Sequence, residues 1–151
     1  MYFEDVPKYR DTIMESICKN DAITDLIRPQ DQLNMKATSM PYKYIFPYGK
    51  IIDKATDTGV YICFDIIVPR VINGTFTDFR IDFWIIAHER RMRTKKGLVT
   101  DLLTIELDKL INGSRAFGLG KVELKTWDSF TPADGFYGRS LIYRTVDFNR
   151  E

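Results

Sequence analysis

Histidine occurs once in this 151-residue chain, at position 88, and cysteine twice, at 18 and 63. A Ser-His-Asp or Cys-His site would have to use His88, and neither a cysteine nor a serine in a nucleophile-elbow sequence is recognisably placed beside it. With no second cysteine or histidine at metal-ligand spacing, neither Cys18 nor Cys63 reads as a zinc ligand, and a secreted disulfide scaffold is excluded. Both are expected to be buried free thiols that behave as small hydrophobes. An excess of charge is also lacking: 22 basic residues stand against 21 acidic ones, for a net charge of +1. No molecule-wide field therefore draws the chain onto nucleic acid or anionic lipid, and any such role must be local. No window approaches the roughly 18 apolar residues of a membrane span. Met1 to Arg10 contains two acids and no apolar stretch that would act as a targeting segment. The expectation is a soluble, cytosolic chain without a membrane partner.

What is present is ordinary globular material, 44% apolar and 28% charged, with 13% aromatics that lean towards strands and packed surfaces. This length suits one domain, residues 1 to 151, with about 68 to 70 per cent of the unfolded surface buried. Asp5 is a good N-cap and Pro7 suits a first helical turn. Val6, Tyr9, Ile13 and Ile17 recur at spacings of three and four, which predicts an amphipathic helix to about Cys18. Asn20 and Asp21 end it. Ile23, Leu26 and Ile27 form a second short helix that Pro29 stops. Residues 29 to 58 are rich in Met35, Met40, Tyr42, Tyr44, Phe46, Tyr48, Ile51 and Ile52 but are broken by Pro41, Pro47 and Gly49. They predict an extended aromatic arm or a short edge strand, which either wraps the domain's own sheet or meets a partner.

The sharpest pattern starts at Val60. Val60, Ile62, Phe64, Ile66 and Val68 alternate with Tyr61, Cys63, Asp65 and Ile67, and Asn73-Gly74 is a strong hairpin signal. A two-residue turn there makes paired residue numbers sum to 147. One face then pairs Val60 with Ala87, Ile62 with Ile85, Phe64 with Phe83, Ile66 with Ile81 and Val68 with Phe79, all apolar, whereas a one-residue slip would turn one strand's apolar set outward. Pro69 has no N–H, so a bulge near the tip is open. The other face pairs Tyr61 with Ile86, Cys63 with Trp84, Asp65 with Asp82 and Ile67 with Arg80, a mixed surface that is partly covered or used for contact.

Residues 88 to 96 read HERRMRTKK and separate the hairpin from a helix over Leu98 to Ile111, stopped by Asn112-Gly113 and expected to lie on the hairpin's apolar face. After a flexible GSRAFGLG stretch, strands at 121 to 127 and 139 to 148 predict a second hairpin. The fold class is α+β: an antiparallel or mixed sheet of about four strands built on the long hairpin 60 to 87, with helices packed on one face.

Asp65 opposite Asp82 is the most suggestive acidic feature, because like charges directly opposed on a sheet are unfavourable unless solvent, a cation or Arg80 offsets them. A metal-dependent nuclease would hold Mg²⁺ with such carboxylates, an acid on one strand and an acid-x-Lys on its partner. Asp82-Phe83-Trp84 puts Trp where that lysine belongs. Glu123-Leu124-Lys125 supplies the triplet without a preceding strand bearing a well-placed acid. Gly118-Leu119-Gly120 matches a phosphate loop only superficially, since such loops lead from a strand into a helix. Arg90, Arg91, Arg93, Lys95 and Lys96 form the one charge run. It reads as a solvated loop, a dock for an acidic protein surface, or a phosphate footprint without aromatic platforms for single strands. No catalytic residue, metal or cofactor is expected. The candidate partner contacts are Tyr42, Tyr44, Phe46 and Tyr48 in the arm and the five basic residues.

The layout of residues 5 to 148, an N-terminal helix, a long hairpin, a helix closing in Asn112-Gly113 and a final short hairpin, resembles the tail terminator proteins of tailed bacteriophages, also called tail-completion or neck proteins. The arm and the basic loop are longer and more charged than that layout implies, which leaves a head-completion or connector ring as an alternative. An unrelated intracellular interaction domain is another. The resemblance implies a non-enzymatic virion protein, assembled in the host cytoplasm. It would form a homo-oligomeric ring, commonly a hexamer, that caps the tail tube and joins it to the neck and connector, with DNA passing non-specifically through the lumen. The aromatic arm and the mixed hairpin face would supply the two different patches a head-to-tail ring needs.

Overall fold

A computed structural model describes residues 3–72, 75–115 and 120–145. Helix α1 (Val6–Cys18) follows a 3₁₀ turn, Phe3–Asp5, and buries Ile13 and Ile17, with Val6 and Tyr9 packed beside them. Asp5 stands at the N-cap but its side chain makes no capping hydrogen bond, because its backbone is already helical (φ −83°, ψ −20°). A cap needs an extended residue. Asn20 meets that need: with ψ of 104° it caps α2 (Asp21–Ile27), and its side-chain oxygen accepts from the Ile23 amide at 3.1 Å.

The long hairpin forms as its alternation predicts. Strands β2 (Val60–Ile72) and β3 (Thr75–His88) pair antiparallel, with Val60 opposite Ala87, Ile62 opposite Ile85, Phe64 opposite Phe83 and Ile66 opposite Ile81. Val68 does not pair with Phe79 as expected. The register shifts between Ile67 and Arg70, where Pro69 has no N–H to give to the ladder, and returns at Val71 opposite Phe76. Asn73 and Gly74 lie outside the described residues.

Among the described residues the main sheet has five strands, the short edge strand expected within the arm adding one to the four of the two hairpins. Before the hairpin, β1 (Ile45–Phe46) joins β2 in parallel at one edge; after it, β7 (Phe136–Thr145) pairs with β3, and β6 (Val122–Phe130) with β7, giving the order β1-β2-β3-β7-β6. The second hairpin is thus tighter than its sequence pattern, its strands reaching to Phe130 and back to Phe136; residues 146–148 lie outside the described residues, as do Gly118 and Leu119 of the glycine stretch. Across the second hairpin, Phe130 lies over Gly138, where a Cβ would come within 2.5 Å of its ring.

Residues 88 to 96 do not form a plain loop. They build a one-turn helix, α3 (Glu89–Met92), and a ribbon of β4 (Arg93–Thr94) with β5 (Gly97–Leu98). Leu98 therefore stands exposed in the ribbon instead of opening the helical face. Helix α4 (Val99–Ile111) buries Val99, Leu103, Leu107 and Ile111 and ends before Gly113, whose φ of 76° supplies the left-handed stop. Helices α1, α2 and α4 cover the hairpin's apolar face, and their buried isoleucines and leucines form one cluster with Ile62, Phe64, Phe83, Ile85 and Tyr143.

Candidate functional site

The mixed face of the hairpin carries a second, smaller core of Phe46, Tyr61, Cys63, Ile86 and Phe136, against which Tyr44, Ile52 and Trp84 pack. The arm delivers this cover. Ile45 and Phe46 sit beside Ile62 and Cys63 in register, and successive residues of a strand point to opposite faces. Ile45 therefore enters the helical core and Phe46 the second one. The Met40 carbonyl accepts from the Lys43, Tyr44 and Ile45 amides, and the Ile62 amide donates to the Tyr44 carbonyl. Arg10 fastens the arm to α1 by donating to the Pro47 carbonyl at 2.8 Å.

The candidate contacts in the arm divide accordingly. Phe46 is 4% exposed and holds the fold; burial against Tyr61 and Cys63 removes it from the set of surface contacts. Tyr44 is half-buried and stacks on Tyr61 with ring centroids 5.7 Å apart. Tyr42 and Tyr48 are exposed, 6.3 Å apart, and Tyr42 has a φ of 65°. That left-handed conformation is uncommon for a bulky residue.

The basic run also divides. Arg90 and Lys96 point to solvent. Arg91 turns inward and donates to the carbonyls of Leu26 (3.4 Å) and Arg28 (3.2 Å). Burial pulls its pKa down, and Tyr44 and Asp31 nearby partly offset this. Two clefts of about 680 Å³ meet at Arg91. In the first it faces Tyr42, Tyr44 and Phe46; in the second it joins Arg93 and Lys95. The fold thus brings together residues of the arm and of the basic run that lie far apart in sequence.

Three further residues of the first cleft escaped sequence reasoning, Asp31, Lys50 and Asp57, and they meet Tyr61 of the mixed hairpin face there. The Lys50 ammonium lies 5.5 Å from the Phe46 ring centre and 5.3 Å from that of Tyr61, and it pairs with Asp57. Tyr61 accepts from the Gly59 amide at 3.2 Å, and burial raises the pKa of its hydroxyl. The signal was present in the two opposite charges embedded in an aromatic segment, at positions 50 and 57.

The opposed acids are each held by an arginine. Arg10 pairs with Asp65 at 2.7 Å, and Arg80 grips Asp82 through two bonds of 2.8 and 2.9 Å. Trp84 packs beside the second core. Glu123 lies within 4 Å of two lysines, 3.6 Å from Lys121 and 3.8 Å from Lys125. His88 ends β3 and its Nδ1 accepts from the Arg90 amide at 3.2 Å, capping α3. Among the described residues no group of three or more His, Cys, Asp or Glu side chains is placed to hold a metal ion, and no helix is long and apolar enough to cross a membrane.

Fold and site together define an α+β protein built on a five-stranded mixed sheet, with helices on one face and an aromatic arm on the other. The chain belongs to the YomW family, whose model matches residues 12–145, nearly all of the described chain. That family is named after a gene product of a Bacillus phage region. A comparison with curated proteins gave no match.

Proposed function

We propose that this chain is a non-enzymatic virion structural protein, a ring-forming tail terminator or neck subunit that caps the tail tube and joins it to the head connector. The phage association of its family supports that setting. The observation that carries the reading is the placement of exposed apolar residues at opposite edges of one sheet. Tyr42, Tyr48 and Ile51 flank β1, and Trp127 projects from β6 at the far edge, with Ile105 exposed on α4. The Arg139 guanidinium covers one side of the Trp127 ring at 4.4 Å, and the indole N–H donates to Thr104 at 3.3 Å, so the ring is held in one orientation. Two unlike patches on opposite sides of a subunit suit a heterologous, head-to-tail contact, which closes into a ring when the rotation permits. Large side chains presented rigidly at a surface are the usual anchors of such contacts.

Light scattering after size exclusion, with negative-stain microscopy, tests this. The expected result is a discrete particle several times the 17.6 kDa of one chain, with ring projections that bind added tail tubes. Single changes at the two edges, Tyr48→Asp and Trp127→Asp, should each abolish the ring. A stable monomer at high concentration that does not assemble on tail tubes overturns the proposal.

A further inference from the structure

The second cleft at Arg91 has an unbalanced charge. Arg28 enters from the end of α2, paired with Asp25 and donating through Nε to the Met35 carbonyl at 2.7 Å. Arg91, Arg93 and Lys95 enter from α3, β4 and the following turn. Arg28 and Asp25 cancel, and none of the other three cations forms an ion pair with a carboxylate among the described residues. Arg91 is half-buried, and the hydrogen bonds it makes among the described residues go to the neutral carbonyls of Leu26 and Arg28. Asp31 is near enough to offset part of that burial but forms no ion pair with Arg91, and a partly desolvated cation without a paired counter-ion is an unfavourable arrangement that an incoming anion relieves. Leu33 stands on the same cleft, 72% exposed, beside Leu26.

We propose that this cleft is a docking site for the carboxylates of an acidic segment of a partner protein. The charge and the shape select that occupant over nucleic acid. A cleft of about 680 Å³ takes a few side chains, whereas a duplex is followed by a broad basic stripe along its phosphates. The whole chain carries a net charge of only +1. The exposed leucine on the wall suits a peptide whose acids are interspersed with apolar residues, and polynucleotide phosphates offer nothing to cover it. Arginine forks grip carboxylates in two-bond geometry as they do phosphates, so the choice rests on the size of the cleft and its leucine wall. This proposal goes beyond the ring reading and does not need a ring, since one chain contains the whole cleft.

The test is fluorescence polarisation with the full chain and a labelled peptide of alternating glutamate and leucine. A labelled DNA duplex and a single strand of matched charge run in parallel. Arg93 and Lys95 are exposed, so Arg93→Glu with Lys95→Glu leaves the fold intact by circular dichroism. Saturable peptide binding is expected, weakened at least about tenfold in the double variant. It should be unchanged by Lys109→Glu, an exposed lysine outside the cleft. Absent binding, or binding indifferent to the double variant, overturns the proposal. Tighter binding of either oligonucleotide than of the peptide, lost in the same variant, also overturns it and assigns the cleft to phosphate. The readout is independent of oligomeric state, so this site and the ring can fail separately.

Discussion

The two faces of the sheet are both covered, but by unlike means. On one, three helices with apolar residues at spacings of three and four meet strands with apolar residues at every second position, and the result is a continuous core. On the other, a two-residue strand and irregular chain cover a core of five buried residues. The first interface repeats one rule many times. The second depends on a few specific fastenings: the carbonyl of Met40, the parallel pairing of Ile45 and Phe46, and Arg10 holding Pro47. Regions with fewer buried apolar contacts open locally at lower free energy, so the arm should come away while the helical side stays folded.

The largest effect is expected on the helical face. Phe83 is fully buried between Phe64, at 5.9 Å, and Tyr143, at 5.7 Å with rings perpendicular. It is fixed by strands on both sides, so the site cannot collapse around a truncation. Phe83→Ala should cost about 3 to 5 kcal/mol, read as a lowered urea midpoint, and should leave the transition in a single step.

Phe46→Ala should cost less, about 2 kcal/mol, since the arm can relax onto the smaller core. Its signature should differ in kind. Cys63 lies beneath the arm, buried, and burial pushes its thiol pKa up, so in the wild type a thiol reagent should modify it only when the arm opens. In a Cys18→Ser background, Phe46→Ala should raise the Cys63 labelling rate about tenfold or more at denaturant concentrations well below global unfolding. Equal labelling rates would mean that arm and sheet open only together, and the contrast between the faces would disappear.

A smaller effect belongs to Tyr143, buried on the helical face, whose hydroxyl donates to Asp108 at 2.7 Å. Burial, then the hydrogen bond to Asp108, raise its pKa far above the ordinary 10.0. Tyr143→Phe should cost about 1.5 kcal/mol near neutrality. The pH dependence follows from the direction of the shift. Below pH 10 the tyrosine is protonated in both states and its contribution is complete. Above pH 10 the unfolded chain loses the proton that the native state keeps, so stability falls as pH rises. Urea midpoints between about pH 9 and pH 11 should therefore decline less steeply in Tyr143→Phe than in the wild type. Tyr9, Tyr44 and Tyr61, also shifted upward by burial, keep part of the slope in the variant.

The same contrast explains what the sequence revealed. Period-two alternation over Val60 to Ile66 and Ile81 to Ala87 specifies a register, because a slip would expose an entire apolar set, and the paired residues match it. The short edge strand expected in the arm is there, but its place and its parallel sense were hidden, because Ile45 and Phe46 are too short to show a period and a parallel pair leaves no turn signal to find. The ribbon of Arg93–Thr94 and Gly97–Leu98 was masked by its charges, although Gly97, with φ of 129°, marks the turn. At the contact site, the exposed tyrosines and basic residues were legible as composition. That Arg91 alone turns inward to join both clefts depends on carbonyls of Leu26 and Arg28 more than sixty residues away, and no local pattern encodes it.

The smallest expected effect on stability separates contact from fold most sharply. Tyr42 is 64% exposed and holds a left-handed backbone between Pro41 and Lys43, its amide donating to the Ile45 carbonyl at 2.8 Å. For a residue with a Cβ this conformation costs about 1 kcal/mol, a cost glycine escapes at the price of a more flexible unfolded chain. If Tyr42 served the arm's own folding, Tyr42→Gly would lower the urea midpoint and speed Cys63 labelling as Phe46→Ala does. The burial pattern predicts otherwise: stability unchanged or raised by less than about 1 kcal/mol, and labelling of Cys63 unaltered. Self-association, measured by sedimentation, should weaken if the ring proposal holds, because the exposed ring at β1's edge is what the substitution removes. A variant equally stable and equally associated would show that the strained tyrosine serves neither fold nor ring, and would move the contact surface away from this edge of the sheet.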